Sequence, residues 1–268
     1  ILDLSFSSGF NSETSLSDGL LYDGGDDDDL GYDDGTRDFP SFVQRAINGN
    51  QKLDRSNFKT YQLANAGREF VNSELWVIQE GDVPLDNSVS FTYGDELDID
   101  IERLLDDESA TVGVLLTAGV KSSWETQEGI RQTGDIQAQG DGTSIVIRGN
   151  DKTFKSTSNN VTSYLMAVAG IETDSAELKY TGMYIHKGTK EARTLQGYDT
   201  SDSGDVREDF TEFFERELIN HQLNYNYLFQ NDIQLDVRLA GGDASRYAPY
   251  ERVVFYEDTD DRLSLIHI

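Results

Sequence analysis

The chain has 268 residues, with 50 acidic against 22 basic side chains, 24 glycines, 13 tyrosines, 13 phenylalanines, only 3 prolines and no cysteine. Its formal net charge of −28 excludes recognition of nucleic acid through phosphate neutralisation and leaves a solvated acidic surface, or one that attracts cations. Without cysteine there are no disulfides or thiolate metal sites, and the glycine- and aromatic-rich mix favours strands and turns over helices.

The chain opens at Ile1 already inside a strand pattern, with neither an initiator Met nor a leader of charged and apolar residues, so the native N-terminus is expected upstream. Leu2, Leu4, Phe6 and Phe10 alternate with Asp3, Ser5, Ser7, Gly9 and Asn11, the two-residue period that puts alternate side chains on opposite faces of a strand. Residues 12–87 read as one long polar insertion with a short helix around 42–47, a length acceptable as an extracellular loop region but foreign to a compact soluble domain.

Beyond the insertion the alternation returns. Val89, Phe91, Tyr93, Leu97, Ile99 and Ile101 oppose Ser88, Ser90, Thr92, Glu96, Asp98, Asp100 and Glu102. Ala110, Val112, Val114, Leu116, Ala118 and Val120 then oppose Thr111, Gly113, Thr117, Gly119 and Lys121, with Leu115 the exception. A strand over 161–171 has two apolar faces. Three more follow: Leu178, Tyr180 and Tyr184 against Glu177, Lys179 and Thr181; Leu223, Tyr225, Tyr227 and Phe229 against Gln222, Asn224 and Asn226; and Ile233, Leu235, Val237 and Leu239 against Gln234, Asp236 and Arg238.

Several of these runs approach the ~9 to 11 residues a tilted strand needs to cross a bilayer. No run of ~18 apolar residues offers a transmembrane helix, but barrel strands, apolar only at alternate positions, escape that test. The connections alternate between polar turns at 105–109, 172–175 and 228–232 and long loops at 122–160, 187–217 and from 242 onward. Short turns on one rim and long loops on the other are the pattern of an outer-membrane barrel. Trp124, Tyr93, Tyr184, Tyr227 and Phe229 fit interfacial girdles.

Candidate chemistry is sparse. Asp26, Asp27, Asp28 and Asp29 form a carboxylate cluster that could bind calcium, but the spacing is not that of an EF-hand and favours a solvated acidic loop. His186, His221 and His267 never stand in a metal-ligand spacing, and His221 falls on an apolar face as an interfacial or rim residue. No nucleophile elbow, phosphate loop or dinucleotide fingerprint occurs, and with 50 acids, carboxylate pairs arise by chance. The expectation is a non-enzymatic chain with no cofactor, no catalytic residue and no assignable ligand residue.

Several phrases resemble those of TonB-dependent outer-membrane receptors: Asp33-Asp34-Gly35-Thr36-Arg37, Phe91-Thr92-Tyr93-Gly94-Asp95, Ser123-Trp124-Glu125-Thr126 with Gly129-Ile130-Arg131, Arg207-Glu208-Asp209 leading to Phe214-Glu215-Arg216-Glu217-Leu218, and Ala244-Ser245-Arg246-Tyr247-Ala248-Pro249-Tyr250-Glu251-Arg252. The resemblance implies an all-β, antiparallel transmembrane barrel of about 22 strands closed by a plug, for energised uptake of a scarce solute such as a siderophore, corrinoid, glycan or peptide. It implies as partners the outer-membrane lipid, a small-molecule or oligomeric ligand, and the inner-membrane protein TonB acting through the plug. On this reading residues 1–262 are an incomplete barrel of about seven or more strands without the plug domain. Residues 263–268 resemble a translated sequencing adapter, so native sequence is expected to stop near Arg262. A soluble or surface β-sandwich binding module and a passive porin are the alternatives.

Overall fold

A computed structural model describes residues 1–71, 74–100, 109–138, 145–200, 204–259 and 262–267. In chain order its strands are β1 (Leu2–Gly9), β2 (Asp18–Leu21), β3 (Gln79–Asp82), β4 (Asp86–Asp100), β5 (Ser109–Gln132), β6 (Asp135–Ala138), β7 (Ile145–Arg148), β8 (Asp151–Glu172), β9 (Ala176–Asp199), β10 (Gly204–Leu228), β11 (Gln234–Thr259) and β12 (Arg262–His267). Helices α1 (Ser41–Asn48) and α2 (Thr60–Val71) both lie in the insertion, α1 where the sequence placed a short helix.

Among the described residues, eight strands form one antiparallel sheet in the order β1-β4-β5-β8-β9-β10-β11-β12, while β2 pairs with β3 and β6 with β7. The chain is therefore all-β, a meander of neighbours interrupted by the insertion between β1 and β4 and by the β6–β7 pair between β5 and β8. The sheet is not closed: β1 and β12 stand at its two edges. The expected turn at 172–175 joins β8 to β9, and the one at 228–232 joins β10 to β11, where Asp232 adopts φ 62° and donates its N–H to the Phe229 carbonyl at 3.0 Å. The turn expected at 105–109 falls, but for Ser109, outside the described residues.

Register carries the two faces from strand to strand. Leu97, Val112, Ile171, Leu178, Tyr225 and Val237 stand on one rung, and the next residues along, Asp98, Thr111, Glu172, Glu177, Asn226 and Asp236, stand on a rung of the opposite face. The alternating apolar sets thus merge into one apolar face running from β1 to β11. Over its turn-proximal half this face is bare: Leu4 is 60% exposed, Leu239 61% and Leu223 37%.

One expectation is overturned. Most of the segments expected as long loops are strand: β5 runs on to Gln132, β8 begins at Asp151, β9 and β10 span most of 187–217, and β11 continues to Thr259. Beyond Val120, Ser163, His186 and Glu217 the same face is covered by the insertion, and the residues beneath it change character. Thr157, Asn159, His186 and Thr211 are buried there. A strand face packed on a polar insertion needs hydrogen-bonding side chains rather than Leu or Val, so the alternation fades while the strand continues.

His221 lies on the apolar face within β10, with Nδ1 2.7 Å from the Tyr180 hydroxyl. Such pairing satisfies polar atoms that an apolar face would otherwise strand. β12 falls mostly in the segment expected to be adapter-derived and pairs with β11, as extended chain does at an open sheet edge.

Candidate functional site

The insertion is fastened to the sheet by a polar and aromatic dock. Leu20 donates its N–H to Thr157 Oγ1 at 2.9 Å, and the Tyr22 hydroxyl donates to the Glu212 carbonyl at 2.7 Å. Leu20, Tyr22 and Leu75 of the insertion form a buried cluster with Ala192, Phe213 and Tyr250 of the sheet. The Tyr250 hydroxyl donates to the Leu75 carbonyl at 2.9 Å and lies 2.8 Å from the Thr211 hydroxyl. Tyr32 stacks on His186 with ring centroids 3.8 Å apart, while His186 Nε2 lies 3.0 Å from Glu215 Oε2.

At the centre of the dock sits Arg37, whose side chain is fully buried. It pairs with Asp28 at 2.6 Å and Asp33 at 3.3 Å, and its guanidinium lies 4.0 Å from the centre of the Phe213 ring. Asp28 also receives Lys190 of β9 at 2.7 Å. Burial raises the Asp33 pKa despite the opposing pull of Arg37. Nearby, hydrogen bonds from Thr36 and from the Asp26 N–H lower the Asp34 pKa to about 2. Gly31 (φ 81°) meets Gly188 of β9 so closely that a Cβ on Gly188 would lie 2.2 Å from the Gly31 carbonyl oxygen. Glycine is required at that crossing by space.

Of the four aspartates singled out in the sequence, Asp28 is thus an anchor taken up by two cations, and Asp26, Asp27 and Asp29 are exposed. Among the described residues no group of three or more His, Asp or Glu is placed to hold a metal ion.

The opposite face of the sheet, on the strand halves beyond the bare apolar band, is open and charged. It holds a hollow of about 470 Å³ lined by Arg131, Phe154, Lys187, Arg193, Phe214 and Arg216 among others. Charge is ordered by rung. Glu125, Ser158, Glu191, Glu212 and Glu251 share one rung, with Glu191, Glu212 and Glu251 directly opposite one another on β9, β10 and β11. Four residues nearer the short turns, the rung reads Lys121, Thr162, Lys187, Arg216 and Arg246. In the sequence Lys121 falls on a polar strand face and Thr162 in the strand over 161–171, whereas Lys187, Arg216, Arg246 and the glutamates fall in segments expected as loop. No linear motif unites them, because only register does.

Burial, then the flanking Glu191 and Glu251, raises the Glu212 pKa against the pull of Arg193 and Arg246. A raised carboxyl pKa means that ionisation costs the folded state. The cost is absent below the unfolded value of about 4.3, grows as pH rises through the folded value, and is complete at neutral pH. Glu212→Gln is therefore expected to stabilise the protein at neutral pH by up to ~1 kcal/mol, the scale of a like-charge cross-strand pair. Thermal melts should show that gain shrinking towards zero at acidic pH; a pH-independent effect would remove electrostatics as its cause.

Comparisons with family models, with curated proteins and with solved structures return no match.

Proposed function

We propose that this chain is part of the wall of an outer-membrane β-barrel, and specifically of a TonB-dependent receptor that takes up a scarce solute. The observation that carries this reading is the continuous bare apolar face from β1 to β11, backed by a polar face and bounded by short turns. In water such a face would be a large liability. Against lipid it is the surface a barrel requires, with polar residues turned to a wet lumen. The band is about as long as a tilted strand needs to cross the hydrocarbon layer. Strands of 22 to 26 residues in β5 and β8 to β11 then extend beyond the bilayer, and the insertion packs on their outer surface above the lipid.

Closure of the barrel needs further strands between the edges at β1 and β12, because unpaired backbone groups are not tolerated in hydrocarbon. Energised transport, the plug and TonB enter through the resemblance of the loop and strand-end phrases. The solute class stays as wide as the resemblance leaves it.

Expressed with its native flanking sequence in a Gram-negative host, the full-length protein is expected in the outer-membrane fraction. It should need detergent for extraction and migrate on gels with the heat-dependent shift of a folded barrel. Recovery of folded protein from the soluble fraction without detergent would retire this reading in favour of a β-sandwich, whose second sheet would cover the apolar face.

A further inference from the structure

We infer that the cationic rung on the polar face binds a solute carrying several carboxylate or phosphate groups, an inference that rests on the lumenal placement of that face. Lys187, Arg216 and Arg246 are directly opposite one another on β9, β10 and β11, and Lys121 lies on the same rung one neutral residue, Thr162, away. Like charges directly opposite across strands repel. In a chain of net charge −28, none of these four cations is held in an ion pair by a carboxylate among the described residues.

The neighbouring rungs of the same face are uncharged on both sides from β5 to β10. Towards the short turns stand Gly119, Tyr164, Ile185 and Leu218, continued by Ala244 on β11. Away from them stand Ser123, Asn160, Thr189 and Phe214. Beyond the β4 edge of that second rung, Asp86 accepts the Trp124 N–H on Oδ1 at 2.8 Å. None of Lys121, Lys187, Arg216 and Arg246 has an ion-pair partner among the described residues. Lys121, Arg216 and Arg246 are solvent-exposed and Lys187 is half-buried.

The acidic rung lies four residues along the strands, and although Glu212 feels the charge of Arg246, none of its carboxylates is in ion-pair contact with the cationic rung among the described residues. Phe214 is flanked by Arg216 and Arg246, each guanidinium 4.8 Å from the ring centre, which holds both on one site. Adjacent strands are ~4.8 Å apart, so Lys187, Arg216 and Arg246 repeat a positive charge at about that interval. The complement is a solute with two or more anionic groups at similar separation. Arginine forks suit carboxylate and phosphate alike, so the rung selects for multiple anionic charge.

The test is calorimetric titration of the full-length protein in detergent with citrate, with tripolyphosphate and, as a cationic control, with spermidine. At least one anion should bind, more weakly as ionic strength rises, while spermidine does not compete at the site. Citrate alone would identify a carboxylate site, and tripolyphosphate alone a phosphate site. The triple variant Lys187→Gln, Arg216→Gln, Arg246→Gln should lose roughly tenfold or more in affinity, given the net value of charged hydrogen bonds. Arg216→Lys with Arg246→Lys should retain most of it. Heat-shifted gel mobility establishes that each variant is folded.

Absence of anion binding by the wild type, or binding unchanged in the folded triple variant, would overturn the site. An outer-membrane protein that binds neither anion loses this inference and keeps the receptor reading. A soluble protein that binds citrate through these residues does the reverse.

Discussion

Leu223→Arg is expected to abolish accumulation of the full-length protein in the outer membrane, whereas Asn224→Arg should accumulate to near wild-type levels. The two residues are neighbours in β10, at the same depth, and register puts them on opposite faces. Leu223 shares the bare apolar rung of Val114, Ala169, Tyr180 and Leu239. Asn224 stands among Lys179 and Arg238 on the polar face. Arginine in the middle of a lipid-facing band costs roughly 2–4 kcal/mol, a large part of the stability of a marginal fold. On the lumenal face its guanidinium stays in water, near the Asp236 carboxylate that already pairs with Arg238 at 2.8 Å. Immunoblots of outer-membrane fractions, with degradation controlled by a protease-deficient host, measure both. Equal accumulation of the two variants would sink the facing assignment, and with it the lipid placement. A soluble sheet would also tolerate Leu223→Arg poorly if that face were buried, but it would do so outside the membrane fraction.

How much of this was legible in the sequence depended on what each face touches. Where a strand has one bare or lipid-suited face and one wet face, hydrophobicity flips at every residue, and Leu2 to Phe6, Val89 to Ile99, Ala110 to Val120 and Leu235 to Leu239 were all visible for that reason. Where both faces are polar, one covered by the insertion and one open, the alternation vanishes although the backbone continues unchanged. Thr157, Asn159, Lys190 and Glu215 carry no period that a sequence scan detects, and those strand halves read as loop. The charged rungs were hidden for a related reason. Lys121 and Arg246 come together through four successive strand pairings, each set by register. The turn chemistry of Asp and Asn around Ser175 and Asp232 is local and was readable. Arg37, by contrast, had appeared only as the end of a family-like phrase, and its burial followed from nothing in its neighbours.

Arg37→Ala is the second large effect, and it should release the insertion from the sheet. The wild-type guanidinium is fully buried, holds Asp28 at 2.6 Å and Asp33 at 3.3 Å, and covers the Phe213 ring. Removing it leaves Asp28 to Lys190 alone and strands Asp33, whose burial already raises its pKa with the arginine present. Losing one member of a buried ionic cluster costs on the order of 3–5 kcal/mol, because the remaining charge stays desolvated. Arg37→Lys keeps the charge but cannot fork between two carboxylates, so it should fall between alanine and wild type. Asp29→Ala, on the exposed side of the same tract, should be silent. Limited proteolysis reads the result directly: the segment around α1 and α2 should be cut far faster in Arg37→Ala than in Asp29→Ala. The sheet should meanwhile keep its heat-shifted gel mobility, since its own hydrogen bonds are untouched. If the alanine variant resists protease like wild type, the dock does not depend on this ion cluster, and the Leu20, Tyr22, Phe213 and Tyr250 cluster would carry it instead.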